Sequence, residues 1–185
     1  RGILMQEAVP AGVGGMSAVL GMTADEINAV VDEIPNVQVA NYNCPGQIVI
    51  SGLKEAVETA AVKLKEAGAR RVNVSGPFHS YLLEEAGEKL GRFLENIPVS
   101  EPVIPYVANV TAAYVTKAED VKPLLTRQVS SSVRWQQSVE TMLADGVDRF
   151  IEIGPGKTLA GFIRKINREA TVINIEKFED LEKLN

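Results

Sequence analysis

The sequence is poor in the two side chains that most often build disulfide or metal frameworks. It has one cysteine, Cys44, and one histidine, His79, in 185 residues. A single cysteine cannot form a disulfide within the chain, and one cysteine with one histidine cannot complete a zinc site. Both kinds of internal framework are therefore excluded. The low cysteine content fits a reducing compartment, so we expect a cytoplasmic protein.

Positive charge is also scarce, with 19 lysines and arginines against 24 acidic residues and a formal net charge of -5. The chain lacks the basic excess that binding a phosphate backbone needs, which argues against nucleic acid as a partner. No apolar run approaches the roughly 20 residues that span a bilayer, and no secretory signal pattern is present. The composition, 45% hydrophobic and 23% charged, is that of an ordinary globular protein.

Residues 13–75 alternate between short apolar runs and amphipathic helical patterns. The strand patterns are VGGMSAVL, VQVAN, QIVIS and ARRVNVS, and the helical patterns are TADEINAVVDEI and KEAVETAAVKLKEAG. Thr23 and Glu26 have the spacing of a capping box, and Pro45 with Gly46 predicts a tight turn between two strands. The order βαββαβ predicts a split-βαβ, ferredoxin-like subdomain over residues 10–74.

The pattern changes after residue 75. A long helix is predicted to begin at His79, on an apolar stripe formed by Leu82, Ala86, Leu90, Phe93 and Ile97. VIPYVAN indicates a buried strand, and helices are predicted over residues 117–130 and 133–145. The strand DRFIEIG and the helix PGKTLAGFIRKI follow. This alternation is typical of a parallel, doubly wound α/β sheet, and the small number of strands indicates only part of one.

The first residues lie inside a helical pattern. RGILMQEA begins at Arg1 with no N-capping residue and no methionine before it. We therefore expect these residues to be one segment of a longer protein. Residues 1–9 and 75–185 are then expected to form the remainder of an α/β domain around the 10–74 subdomain.

Few short motifs in the chain carry chemistry. EIGPGKT lacks the glycine that a phosphate-binding loop needs five residues before Gly156, where Ile151 stands, so a simple glycine turn is the better interpretation. Cys44 has no base near it in the sequence that could activate its thiol. Asn41 and Asn43 alternate at a strand end and are expected to share a face. They either bond the nearby turn or belong to a pocket.

His79 is the candidate with the most chemical potential. An imidazole acts as a general base near neutral pH when one nitrogen reaches a nucleophile and an acceptor holds the other. The sequence contains no GxSxG nucleophile elbow. From the residues alone, His79 is therefore either a structural histidine or one half of an active site.

Five stretches, taken together, resemble the malonyl-CoA:acyl carrier protein transacylases of bacterial fatty acid synthesis and the related acyltransferase domains of polyketide synthases. They are RGILMQEAVPAGVGGMSAVLG, NYNCPGQIVISG, SGPFHS, RQVSSSVRWQQSVETM and EIGPGKTLAGFIRKI, in the family's order and across almost the whole chain. The resemblance implies an α/β-hydrolase-like domain with an inserted ferredoxin-like subdomain. It also implies a nucleophilic serine, in a Gly-His-Ser-Leu-Gly elbow that would precede Arg1 and lie outside this sequence.

The resemblance assigns roles to three residues of the expected centre. His79 matches the family's catalytic histidine. Gln128 matches the position whose backbone carbonyl accepts a hydrogen bond from the other imidazole nitrogen. Arg1 matches the arginine that pairs with the malonyl carboxylate, a role that the two-pronged geometry of a guanidinium suits.

Three more positions are assigned by the same resemblance. Asn41 and Asn43 match an asparagine pair near the substrate pocket. Phe78 stands where malonyl-preferring relatives carry a bulky ring, which would crowd an α-methyl group and disfavour methylmalonyl. These residues are therefore expected to bind substrate.

The implied reaction is ping-pong transfer of a malonyl group from malonyl-CoA to the phosphopantetheine thiol of acyl carrier protein. No metal or redox cofactor is expected, and the expected partners of a monomer are malonyl-CoA and the carrier protein, without nucleic acid or membrane. Two alternatives stay open. One is an acyltransferase domain of a polyketide synthase or another megasynthase. The other is a non-catalytic ferredoxin-like binding module, if the chain is naturally this short.

Overall fold

The computed structural model describes residues 1–74 and 76–184 of the chain. The strands are β1 (Gly14–Leu20), β2 (Val37–Cys44), β3 (Gln47–Leu53), β4 (Arg70–Val74), β5 (Tyr106–Ala108), β6 (Ala113–Val115), β7 (Arg149–Ile153) and β8 (Thr171–Ile175). The α-helices are α1 (Gly2–Ala8), α2 (Ala24–Val31), α3 (Lys54–Glu66), α4 (Glu84–Glu95), α5 (Ala118–Gln128), α6 (Trp135–Ala144) and α7 (Thr158–Ile166), and Tyr81–Leu83 and Phe178–Leu184 are 3-10 helices. Residues 75 and 185, the two ends of the segment 75–185 that the sequence assigns to the larger α/β domain, lie outside the described residues.

Strands β1 to β4 form one antiparallel sheet in the order β2-β3-β1-β4. Helices α2 and α3 cover one face, where Ile27, Ile50 and Leu64 are buried in a single apolar core. The predicted capping box is confirmed, because the Thr23 side chain accepts from the backbone of Glu26 while the Glu26 carboxylate accepts from the backbone of Thr23. The elements of this part follow one another in the order that the sequence predicts.

The opposite face of the sheet meets the C-terminal half of the chain. Its own apolar cluster consists of Met16, Ala18, Ala40 and Val49. At the β2 edge, Val133 donates its backbone N–H to the carbonyl of Ala40, and the carbonyl of Val133 accepts from Tyr42. Strand β2 is therefore covered on its outer edge by a segment that lies between α5 and α6, and α6 and α7 also contact it.

Two further apolar clusters hold the remaining helices. In one, Leu83, Ala86, Leu90 and Val129 pack against residues of α1. In the other, Val139, Phe150 and Ile163 pack against Trp135 and its neighbours, which joins α6 and α7 to β7 and β8. Across residues 1–74 and 76–184, none of the helices has both the length and the apolar character that crossing a bilayer requires.

The structure corrects two predictions for the second half. No α-helix begins at His79, whose φ is 55°, and α4 starts only at Glu84. The predicted stripe also fails at Phe93, which is 66% exposed. VIPYVAN is not a buried strand: β5 covers only its last part, and Val103 and Ile104 are 98% and 81% exposed. In both cases the apolar pattern in the sequence is longer than the segment whose side chains are buried by tertiary contacts.

Strands β7 and β8 pair in parallel, with α7 between them along the chain. Strand β8, with the sequence TVINI, is not among the elements predicted from the sequence. Strands β5 and β6 form a separate antiparallel hairpin. The chain is thus a mixed α/β protein, as predicted.

Candidate active site

His79 lies in the turn that joins β4 to the 3-10 helix Tyr81–Leu83. Ser80 is fully buried, and its Oγ donates to the backbone carbonyl of Pro77 at 2.7 Å. The backbone of Gly14, at the start of β1, lies so close to this turn that a methyl group on Gly14 would overlap the Pro77 ring. The turn is therefore held by its own hydrogen bonds and by direct contact with the sheet.

One imidazole nitrogen of His79 has a defined partner. Its Nδ1 lies 3.0 Å from the backbone carbonyl of Gln128, at the end of α5. A carbonyl can only accept, so the contact requires a hydrogen on Nδ1 and leaves the lone pair of the neutral ring on Nε2. The Gln128 side chain in turn donates to the carbonyl of Ser131 at 3.1 Å, which holds the loop after α5. The structure thus joins the His79 ring to the Gln128 carbonyl, and the roles of base and acceptor stay predictions.

The surroundings of His79 favour its neutral form. Burial lowers the pKa of His79 below its usual value of 6.5, because the imidazolium loses hydration, and the positive charge of Arg1 lowers it further. The carbonyls of Gln128 and Ser131 act in the opposite direction, since they stabilise the protonated ring. With the pKa lowered, the ring is largely neutral at pH 7 and its Nε2 can accept a proton.

A cavity lined by Phe78 lies next to this histidine. The cavity, of about 540 Å³, is enclosed by α1, by the loop over residues 9–12 and by the turn that carries Phe78. Arg1 immediately precedes the lining residue Gly2 and is exposed, and Phe78 lines the cavity while 40% exposed. Its size falls within the range of small-molecule sites. A larger depression, of about 700 Å³, runs along α3 and is lined by none of the predicted site residues.

Asn41 and Asn43 lie on β2, the strand that Val133 covers. The β2–β3 register shifts between Val39 and Asn41 and again between Tyr42 and Cys44. Asn41 pairs with Val49, and paired residues share a face of a sheet, so Asn41 lies on the side that meets the C-terminal half. Asn43 falls inside the second shift, where strict alternation no longer applies. That it shares the face of Asn41 stays a prediction.

One contact of the candidate base was not predicted from the sequence. The backbone carbonyl of His79 accepts a hydrogen bond of 3.1 Å from the side-chain Nε2 of Gln38, on β2. The only sequence indication was a polar residue within the apolar run VQVAN. Such a residue is also common on the exposed face of a strand, so the pattern alone did not single it out.

Two other sequence candidates have structural explanations. Cys44 is buried, and burial raises the pKa of its thiol, which keeps the thiol protonated and a poor nucleophile. The N-terminus of α7, after the GPGKT turn, is already occupied by the carboxylate of Glu152, which accepts from Leu159 and Ala160. Among the residues that the structure describes, no cluster of three His, Cys, Asp or Glu side chains could hold a metal ion.

Comparison with known proteins gives a consistent family. The acyl transferase domain family matches residues 1–179. The malonyl CoA-acyl carrier protein transacylase of Bacillus subtilis (strain 168) is 45% identical, over 98% of this chain and 60% of its own length. A solved acyl carrier protein S-malonyltransferase from Vibrio cholerae has 39% identity and a TM-score of 0.96, over 100% of this chain and 62% of that one. A malonyl-transacylase solved in complex with a type II PKS acyl-carrier protein has 38% identity and a TM-score of 0.94, over 98% and 61% of the two chains.

This chain spans about 60% of the length of the relatives it matches. The resemblance that the five sequence stretches indicated is confirmed, and the mixed α/β fold agrees with that of the solved transferases. The family match covers nearly the whole chain, including Arg1, His79 and Gln128. The chain therefore belongs to the acyl transferase domain family.

Proposed function

We propose that the protein containing this chain transfers the malonyl group from malonyl-CoA to the phosphopantetheine thiol of acyl carrier protein, for fatty acid biosynthesis. The observation that carries the proposal is the 3.0 Å contact between His79 Nδ1 and the Gln128 carbonyl, which places the lone pair of the neutral ring on Nε2, the nitrogen that would act as the base. Relatives of the same fold bear the transacylase name, and one of them was solved with an acyl-carrier protein. Both findings support the carrier protein as the acceptor.

The reaction proceeds in two balanced halves. In the first, Nε2 of His79 takes the proton of a serine hydroxyl as the oxygen attacks the thioester carbon of malonyl-CoA. The carbon–sulfur bond breaks, and the imidazolium returns the proton to the departing CoA thiolate. In the second, Nε2 takes the proton of the carrier thiol, the sulfur attacks the malonyl-serine ester, and the serine oxygen leaves with that proton.

Arg1 supplies the selectivity in this proposal. A guanidinium can bind the free malonyl carboxylate through two parallel hydrogen bonds, and acetyl-CoA offers no such group. Phe78, which lines the cavity beside α1, disfavours an α-methyl substituent by occupying space. Asn41 and Asn43 are assigned to the wall of the same substrate site, on the β2 side.

We also propose that the nucleophilic serine lies in a further part of the protein, outside these 185 residues. The surface supports this, because Ile3 and Ile153 are 74% and 81% exposed and offer apolar area for additional chain to cover. In this arrangement residues 10–74 form an inserted ferredoxin-like subdomain, and residues 1–9 and 75–185 belong to the larger α/β domain. Helix α1 packs against α4 although residues 10–74 lie between the two helices in the sequence, which supports that division.

The remaining parts of the proposal concern the setting of the reaction. The acid-base chemistry above uses only side chains and the two substrates, so we propose that it runs without a metal or redox cofactor. We place the protein in the cytoplasm as a monomer, where malonyl-CoA and the carrier protein would meet it.

The proposal is tested by malonyl transfer in the longer protein that contains this chain. His79→Ala should reduce transfer by about a hundredfold or more, since it removes the general base. Arg1→Ala should weaken malonyl selectivity while some acetyl transfer persists, and Arg1→Lys should restore only part of it. Arg92→Ala, at an exposed position of α4, serves as the control. Unchanged rate and selectivity in the first two variants would refute the site assignment.

The location of the nucleophile has its own test. Brief exposure of the longer protein to malonyl-CoA should add one malonyl group, which peptide mapping locates on a serine. A modified peptide from within these 185 residues would contradict the proposed position of the serine, although transfer itself could still occur.

A further inference from the structure

The backbone conformation of His79 needs an external support. Its φ of 55° lies in the left-handed region, which residues other than glycine rarely adopt. Residues held in such conformations persist only when surrounding contacts fix them, and they concentrate at functional sites. The contacts that fix His79 therefore determine where its imidazole points.

The side-chain amide of Gln38 makes two contacts with the backbone immediately after His79. Its Nε2 donates to the carbonyl of His79 at 3.1 Å, and its Oε1 accepts from the backbone N–H of Tyr81 at 3.0 Å. Both partners belong to the turn, one at the histidine and one two residues later. A single amide thus brackets Ser80 and fixes the peptide groups that follow the left-handed residue.

The same amide also reaches the segment that carries the acceptor. The Nε2 of Gln38 lies 3.3 Å from the carbonyl of Ser130, two residues after Gln128. Next to it, the Ser132 hydroxyl donates to the carbonyl of Val39, and Val133 is hydrogen-bonded to Ala40. The loop after α5 is therefore held along β2 by hydrogen bonds that begin at Gln38.

We propose that Gln38 is a positioning residue that fixes His79 relative to the Gln128 carbonyl and thereby selects the imidazole tautomer with hydrogen on Nδ1. Gln38 acts through backbone groups and does not touch the substrate. The catalytic part of this inference rests on the proposed acyl transfer. The tautomer part stands on the described contacts alone.

The alternative is that Gln38 is an ordinary half-buried polar side chain whose hydrogen bonds only stabilise the fold. The two cases differ in the effect of removing the amide. Removal of a merely structural residue changes the melting temperature and leaves the histidine tautomer unchanged. Removal of a positioning residue changes the tautomer even where the fold survives.

Nitrogen-15 NMR of the histidine rings in the longer protein separates the cases, because the signals that disappear in His79→Ala identify the His79 ring. In Gln38→Met, which keeps the side-chain length, the ratio of Nδ1–H to Nε2–H tautomer should fall by about tenfold, the effect of losing one ordered hydrogen bond. Gln47→Met, on the neighbouring strand β3, is the matched control and should keep the wild-type ratio. An unchanged ratio in Gln38→Met overturns the proposal.

A second measurement covers the case in which Gln38→Met does not fold. In the unaltered longer protein, the side-chain amide protons of Gln38 should exchange slowly and be shifted from those of the exposed Gln6. Rapid exchange at both glutamines overturns the proposal without any substitution.

Kinetics in the longer protein test the catalytic part separately. Gln38→Met should lower kcat about ten- to a hundredfold, as loss of a supporting contact commonly does, while KM for malonyl-CoA changes little. A tautomer change with full activity would refute the catalytic role of the positioning. Absence of malonyl transfer in the unaltered protein would refute the proposed function, and the NMR result would still decide the role of Gln38.

Discussion

The contact between Gly14 and Pro77 predicts that one added methyl group on β1 will disturb the candidate base. In Gly14→Ala, the new Cβ would overlap Cβ and Cγ of Pro77 and lie 3.2 Å from its Cδ. Carbon atoms normally approach to about 3.5–4.0 Å, so the ring has to retreat by roughly 1 Å. The proline ring is rigid, and Ser80 ties the Pro77 carbonyl to the same turn. The displacement is therefore passed on to His79.

The expected size of the effect can be worked from this geometry. Overpacking of this kind costs about 1–3 kcal/mol, and a domain of this size loses about 2–4 °C in Tm per kcal/mol. A shift of roughly 1 Å at His79 would take Nδ1 out of hydrogen-bond range of the Gln128 carbonyl, which is now at 3.0 Å. Thermal unfolding and the nitrogen-15 spectrum of His79 measure the two effects.

Gly15→Ala is the matched control, on the next residue of the same strand. A Cβ at Gly15 would lie 3.6 Å from Cα of Lys54, an ordinary van der Waals contact. Any change in the unfolded chain from replacing glycine is shared by both variants and cancels in the comparison. Equal melting temperatures and equal His79 spectra for Gly14→Ala and Gly15→Ala would refute the reasoning.

Three further predictions concern ionisation and helix ends. The pKa of His79 in the folded protein lies below the usual 6.5. The contribution of the neutral ring to the free energy of unfolding is therefore complete above pH 6.5 and is lost as the pH falls from 6.5 through the folded pKa. Arg1→Gln should raise this pKa, since it removes a positive charge, and an NMR titration that shows no rise contradicts the assigned cause. Thr23→Ala should cost about 1 kcal/mol by opening the capping box with Glu26, measured by urea unfolding. Glu152→Ala should speed hydrogen exchange in the first turn of α7, because its carboxylate accepts two backbone N–H groups there; unchanged exchange would show that the cap is not needed.

Local sequence rules were sufficient for the four-stranded sheet and its two helices. The capping box at Thr23 and Glu26 and the turn at Pro45 and Gly46 each involve residues close together in the chain, where propensity and periodicity act directly. The register of β2 was less predictable. Two shifts in its pairing with β3 interrupt the strict alternation that the sequence pattern assumes.

The candidate site was less accessible to such rules. His79 and Gln128 are 49 residues apart, and no periodicity connects them, so their pairing came only from the family resemblance. At His79 the local pattern predicted a helix start, whereas the backbone takes a left-handed conformation that tertiary contacts enforce. The contacts of Gln38 could not be predicted for the same reason, because its partners His79 and Ser130 lie 41 and 92 residues further along the chain.

The attachment of residues 130–133 to β2 has a consequence for chimeric enzymes. If residues 10–74 were exchanged between relatives, His79 and Gln128 would come from the recipient. Strand β2, which positions the backbone around both residues, would come from the donor. The backbone pairing of Val133 with Ala40 and Tyr42 uses atoms that any donor sequence provides. The amide of Gln38 is a side chain and has to be supplied by the donor. The activity of a chimera should therefore depend on whether its donor has glutamine at position 38. In a chimera that folds but has low activity, introducing glutamine at this position should raise the activity.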